Sequence, residues 1–125
     1  MKGIPRQRAP ALTPRLATTP IKFRFHYAIR AGRYSCKSLS QRQISQISAK
    51  LKQYKLLTAL QFRQSDGVHM RNINITLKPP DNLSEDIKNQ LAQHFRVSGR
   101  FRIFGYIWED EFFVIWFDPD HQIAP

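Results

Sequence analysis

The chain has 125 residues, with 20 Lys+Arg against 9 Asp+Glu and a formal net charge of +11. No apolar run approaches the roughly 18–20 residues of a membrane-spanning helix. The single cysteine, Cys36, excludes an internal disulfide framework and a multi-cysteine zinc site, and hydrophobic residues at 42% suffice for one packed domain.

The charge is unevenly placed. Residues 1–65 carry 14 Lys+Arg and no acid, whereas residues 66–125 carry 6 Lys+Arg and all 9 acids. Such a one-sided excess predicts an anionic partner, of which nucleic acid is the commonest.

Residues 1–20 place prolines at 5, 10, 14 and 20. Proline removes a donor and fixes φ, so neither a helix nor a central strand survives this spacing. A flexible basic arm is expected, with Arg6, Arg8 and Arg15 able to track phosphates. A single domain is expected over 21–125.

Residues 21–30, IKFRFHYAIR, alternate between an apolar face from Ile21 to Ile29 and a face holding Lys22, Arg24, His26 and Arg30. Period 2 predicts a half-buried strand. Side chains two apart on one face stand about 6.5–7 Å from each other, near the spacing of successive phosphates. The following loop adds Arg33 and Lys37 around the turn residue Gly32. Cys36 also lies there, and a lone cysteine is more often inert than a nucleophile.

Ser38 or Ser40 caps the next element, a helix whose buried stripe is Ile44, Ile47, Leu51 and Tyr54. Thr58 caps a short second helix with Leu60 or Phe62 inward, and Ser65-Asp66-Gly67 is a turn. Residues 68–77 alternate again, with Ile73, Ile75 and Leu77 in the core and His69 and Arg71 at the sheet's end. Pro79-Pro80 stops this strand. Asn82 or Ser84 then caps a helix predicted over 84–95, with Ile87, Leu91 and Phe95 buried. Residues 100–108 and 111–118 are rich in aromatic and β-branched residues and predict a hairpin. Glu109-Asp110 is not a favoured two-residue turn, so a longer loop is expected. Residues 112–117 are apolar on both faces, which predicts a central strand. The fold class is therefore α+β: a mainly antiparallel sheet of about four strands, packed by two main helices, behind a basic arm.

The C-terminal residues Arg102-Ile103-Phe104-Gly105-Tyr106-Ile107 and Phe112-Phe113-Val114-Ile115-Trp116-Phe117-Asp118-Pro119-Asp120-His121 carry a resemblance. They resemble a family of small prokaryotic and phage-associated proteins that end in a glycine-containing strand, an acidic turn and a Trp-x-Asp-Pro-x-His close. An aromatic first strand, Leu39-Ser40 and Phe62-Arg63 extend the likeness to roughly residues 21–123. The outline of helices before a basic antiparallel sheet looks like the RelE-type ribonuclease toxins. That likeness implies RNA cleavage without metal, with a basic side chain on the charged phosphorane and another group moving the proton.

His26, His69 and Arg71 are the residues that could carry such catalysis, His26 and His69 meeting if strands 21–30 and 68–77 pair. Arg6, Arg8, Arg15, Lys22, Arg24, Arg30, Arg33 and Lys37 are the expected nucleic-acid contacts. Asp118, Asp120 and His121 have metal-ligating chemistry, but an Asp-Pro-Asp turn forms without metal. Trp108, Trp116 and Tyr106 read as core rather than as base-stacking platforms. No Walker loop, GxGxxG, HExxH or nucleophile elbow is present, so neither cofactor nor metal is expected. The expected partner is RNA in a cytoplasmic, membrane-free setting. The alternative is a non-enzymatic adaptor whose basic half docks an acidic protein.

Overall fold

A computed structural model describes residues 14–73 and 77–123, the side chains of residues 70–73 excepted. Among the described residues, five strands form one sheet: β1 (Lys22–Arg24), β2 (Val68–Ile73), β3 (Ala92–Ser98), β4 (Phe101–Trp108) and β5 (Glu111–Asp118). The helices are α1 (Gln41–Tyr54), α2 (Ala59–Arg63) and the single turn α3 (Glu85–Lys88). Strand order is β1-β5-β4-β3-β2. β1 runs parallel to β5, and the other pairs are antiparallel. The α+β class thus holds, with five strands in a mixed sheet rather than four.

Local sequence explains the helices. Ser40 accepts from the amide of Gln43, and the Gln43 side chain accepts from the Ser40 amide. Thr58 and Gln61 repeat this reciprocal cap at α2. Each arrangement satisfies two amides that a helix start leaves unpaired. The apolar sides of α1 and α2 cover one face of the sheet. Ile47, Tyr54, Ala59 and Phe62 join Phe95, Ile103, Phe112 and Val114 there. Phe62 packs edge-on against Phe23, Tyr54, Phe95 and Phe112, the favoured geometry for ring pairs. The opposite face is closed by Leu83 and Ile87 around α3 and by Tyr27, Ile29 and Tyr34, over Phe104, Tyr106, Ile115 and Trp116. Both faces of β5 are therefore covered, as its unbroken apolar run requires.

Three expectations are corrected. The helix predicted over 84–95 stops at Lys88, and Ala92–Ser98 is a strand. Leu91, expected in the buried stripe, is 46% exposed. The spacing of Ile87, Leu91 and Phe95 suits a helix, but Phe95 and Val97 also satisfy period 2, and pairing with β4 decides between them. The strand predicted over 21–30 ends at Arg24, since residues 26–28 turn and carry the chain to the other face. From there the Ile29 amide donates to Ile115 and the Phe117 amide to Tyr34, so this segment follows the outer edge of β5. The hairpin loop has two residues, with Trp108 opposite Glu111.

A bulge lies between β4 and β5, where Phe104 opposes Trp116 but Gly105 opposes Val114, leaving Ile115 extra. Ile115 and Trp116 consequently both reach the second face. Gly105 is required beside this bulge. A Cβ there would lie 1.9 Å from the Phe113 carbonyl oxygen.

The tip of the β4–β5 hairpin is held by ion pairs. Asp110, only 2% exposed, accepts from Lys22 Nζ at 2.7 Å and lies 3.3 Å from Arg15. Arg24 pairs with Glu111 at 3.0 Å, and Arg63 donates to the Glu109 carbonyl oxygen at 2.8 Å. Glu109 adopts φ 55°, a conformation disfavoured for residues other than glycine, and these partners hold it there. Burial pushes the Asp110 carboxyl up, but the hydrogen bond and charge of Lys22, its own backbone amide and the charge of Arg15 outweigh it. The net effect is a carboxyl held below its ordinary range. Within residues 14–20, the described part of the segment expected to be an arm, Pro14–Ala17 is a 3₁₀ turn, Leu16 is 1% exposed and the Thr19 carbonyl oxygen accepts from the Ala59 amide, while most of the other side chains are exposed.

Candidate nucleic-acid interface

The expected contact residues fall into separate groups. Arg6 and Arg8 lie outside the described residues. Arg15, Lys22 and Arg24 are engaged with the acidic hairpin tip. Arg30, Arg33 and Lys37 are exposed on the loop between β1 and α1, and Arg33 sits 5.5 Å over the Tyr34 ring. Arg30 and Lys37 line an apolar groove.

The expected catalytic residues are not brought together as a set. β1 and β2 are the two opposite edges of the sheet, so the pairing that would join His26 to His69 does not occur. His26 follows β1 and stacks edge-on with Tyr27 at 4.8 Å. Arg71 falls in β2, and its side chain lies outside the described residues.

His69 instead meets a histidine that sequence reasoning left out. It opposes His94 on β3, and the rings stack at 4.6 Å with 10° between their planes. His94, 8% exposed, opposes Phe104 on β4 and stacks on it at 4.6 Å and 7°. Three strands thus contribute one row of parallel rings. His121 lies 6.3 Å from His94.

The C-terminal turn places His121. Both carboxylate oxygens of the buried Asp118 accept backbone amides, Oδ1 from Gln122 at 2.9 Å and Oδ2 from Ile123 at 2.7 Å. His121 inside this turn has φ 56°. Histidine tolerates that region better than most residues, but it remains uncommon and is a feature often met at functional sites. Among the described residues, no group of three His, Cys, Asp or Glu has the geometry to hold a metal ion.

Two arginines join the histidines. Arg96 lies two residues beyond His94, so alternation puts it on the same face, and it opposes Arg102 on β4. The Arg102 guanidinium is lowered by partial burial and by the charge of Arg96, while Asp118 and Tyr54 act the other way. Arg102 donates to the Gly99 carbonyl oxygen at 2.6 Å, and Arg100 reaches the Asp120 carbonyl oxygen at 3.3 Å. Directly opposed like charges are unfavourable in a sheet and are relieved by an anion between them. The signal for this cluster was present in AQHFRVS, where Ala92, His94 and Arg96 alternate with Gln93, Phe95 and Val97. The helical reading of 84–95 hid it.

No family model, curated protein or solved structure matches this chain. Among the described residues, no helix is long and apolar enough to cross a membrane.

Proposed function

We propose that the chain binds RNA and cleaves it without metal, as a toxin-type endoribonuclease, through His69, His94, His121, Arg96 and Arg102. The observation that carries this reading is the stacked row His69–His94–Phe104 with His121 beside it and two arginines on the same face. Arg71, two positions beyond His69 on β2, is retained in the proposal. His26 is assigned to the peripheral surface.

The chemistry asks for groups of these types. One imidazole takes the proton of a ribose 2′-hydroxyl as its oxygen attacks phosphorus. A second returns a proton to the departing 5′-oxygen, and a guanidinium carries the charge that develops on the phosphoryl oxygens. Imidazole exchanges protons near neutral pH, which suits both tasks. His69, exposed, and His121, half-buried, are the groups assigned to proton transfer. His94, buried between rings, is assigned to positioning. The exposed His69 ring, at the edge of the row, also suits an unstacked base of single-stranded RNA. Arg30, Arg33 and Lys37 extend the phosphate-binding surface.

The test is a neutral-pH incubation with single-stranded RNA in the presence of a chelator. Cleavage is expected from the unaltered chain, and its loss in a His69→Ala, His121→Ala double variant that still binds RNA. Arg96→Ala is expected to weaken binding. Cleavage that survives the double variant would remove the histidines from the chemistry, and a failure to bind RNA at low salt would remove the reading altogether. The second reading, an adaptor for an acidic protein, is favoured by a different part of the surface.

A further inference from the structure

An apolar groove of about 670 Å³ runs between the loop that follows β1 and helix α1. Phe25, Ile29, Leu39, Ile44, Ile47 and Phe117 supply its apolar walls. Phe25 is 42% exposed and Ile44 44%, unusual for large apolar side chains in a chain that buries most of the others. Contiguous exposed apolar surface rimmed by polar groups marks an interaction site. The rim here is cationic, formed by Arg30 and Lys37, and among the described residues no carboxylate is ion-paired with either.

We infer that this groove docks an acidic amphipathic helix of a separate protein. Charge selects the occupant. Every lining residue except Phe117 comes from the stretch 25–48, inside the half of the chain that contains no acid. The chain's own residues 1–13 hold Lys2, Arg6 and Arg8 and no acid, so they would bring like charge to the rim. A second copy docked symmetrically would set the same cations against each other. An acidic partner places its carboxylates against Arg30 and Lys37 instead.

Shape selects a helix. One wall is α1 itself, presenting Ile44, Ile47 and Ser48, which are spaced three and four residues apart on one helix face. A second helix packs on such a row at about 8–10 Å between axes. Ala28 and Ser48 are the small lining residues that permit this approach. Anchors spaced like those of α1 would fill the apolar floor while glutamates on their flanks meet the rim. The groove's apolar floor is separate from the histidine row proposed for RNA, which lies on the sheet's second face around β2, β3 and β4, while Arg30 and Lys37 serve both proposed surfaces.

The probe is a labelled synthetic helical peptide with Leu at i, i+3, i+4 and i+7 and Glu elsewhere. A control peptide has the same composition with the leucine stripe broken, and a second control replaces Glu with Lys. Fluorescence anisotropy is expected to give at least about tenfold tighter binding for the striped acidic peptide than for either control. Ile44→Glu, an exposed position, and the double variant Arg30→Glu, Lys37→Glu are each expected to weaken it about tenfold or more. Amide chemical shifts of the unaltered chain provide a readout that needs no variant, with changes expected at Phe25, Ile44 and Phe117. Equal binding of the broken-stripe peptide, shift changes confined to other surfaces, displacement of the peptide by a long-chain fatty acid, or self-association through Ile44 would each overturn the inference.

Discussion

Replacing Gly105 with alanine tests the packing argument at its tightest point. The added Cβ would stand 1.9 Å from the Phe113 carbonyl oxygen and 3.0 Å from both the Phe113 carbonyl carbon and Phe112 Cε1. Backbone cannot swing aside as a flexible side chain does. β5 must therefore recede from β4 by about 1 Å to bring even the first contact to a tolerable distance. A shift of that size stretches about two neighbouring ladder bonds beyond hydrogen-bonding range, at about 1 kcal/mol each and so about 2 kcal/mol together. Overpacking of the surrounding core adds about 1–3 kcal/mol. The sum, about 3–5 kcal/mol, is a large part of the roughly 5–15 kcal/mol that holds a domain folded. Gly32→Ala is the matched control. Gly32 has φ 93° and open space at its Cβ position, with nothing within 4 Å, so only backbone strain of about 1 kcal/mol applies. Urea unfolding followed by tryptophan fluorescence compares the two. A Gly105→Ala midpoint no lower than that of Gly32→Ala would refute the reasoning, and a chain that fails to fold is the extreme of the expected result.

Asp110→Asn is expected to cost about 1–3 kcal/mol at neutral pH, because a buried charge-assisted hydrogen bond is lost. The folded carboxyl lies below its unfolded value, so its contribution is present above about pH 4 and is lost as pH falls through the folded value. Urea midpoints measured downward from pH 5 should fall less steeply in the variant. Ser40→Ala and Thr58→Ala should each cost about 1 kcal/mol by the same assay, since each removes half of a reciprocal cap. Deleting residues 1–13 removes three cations, Lys2, Arg6 and Arg8. The slope of log affinity for single-stranded RNA against log salt should then drop by about 2, and an unchanged slope would take this segment out of the interface.

Much of the hairpin is legible in the sequence because aromatic and β-branched residues leave no alternative. Residues 111–118 read as a strand and form β5 over the same span. α1 is legible from its cap and stripe, although Ile44 faces the groove rather than the core. β3 is hidden because a four-residue helix runs into a strand without a glycine or proline to mark the change. Apolar residues at 87, 91 and 95 then mimic one longer helix. The end of β1 is hidden because Phe25, Tyr27 and Ile29 keep the apolar alternation while the chain changes face. The site suffers most from these misreadings. His69 stands out, but its partner depends on knowing that β3 exists and that β1 and β2 are opposite edges. The role of Lys22 and Arg24 is likewise invisible, since their carboxylates lie 87 or more residues away.

That separation has a consequence for synthesis. Lys22 and its partner Asp110 are 88 residues apart, and among the described residues β1 pairs with β5. At roughly 5–20 residues per second, a ribosome needs roughly 4–18 s to travel between them. During that interval the nascent chain exposes an uncompensated cationic segment, and the first strand has no edge to join. The ion pairs at the hairpin tip therefore form only once the chain has been translated past Glu111. A product released before Asp110 would lack the carboxylate that pairs with both Arg15 and Lys22, and with it the fastening of residues 14–24 to the hairpin tip.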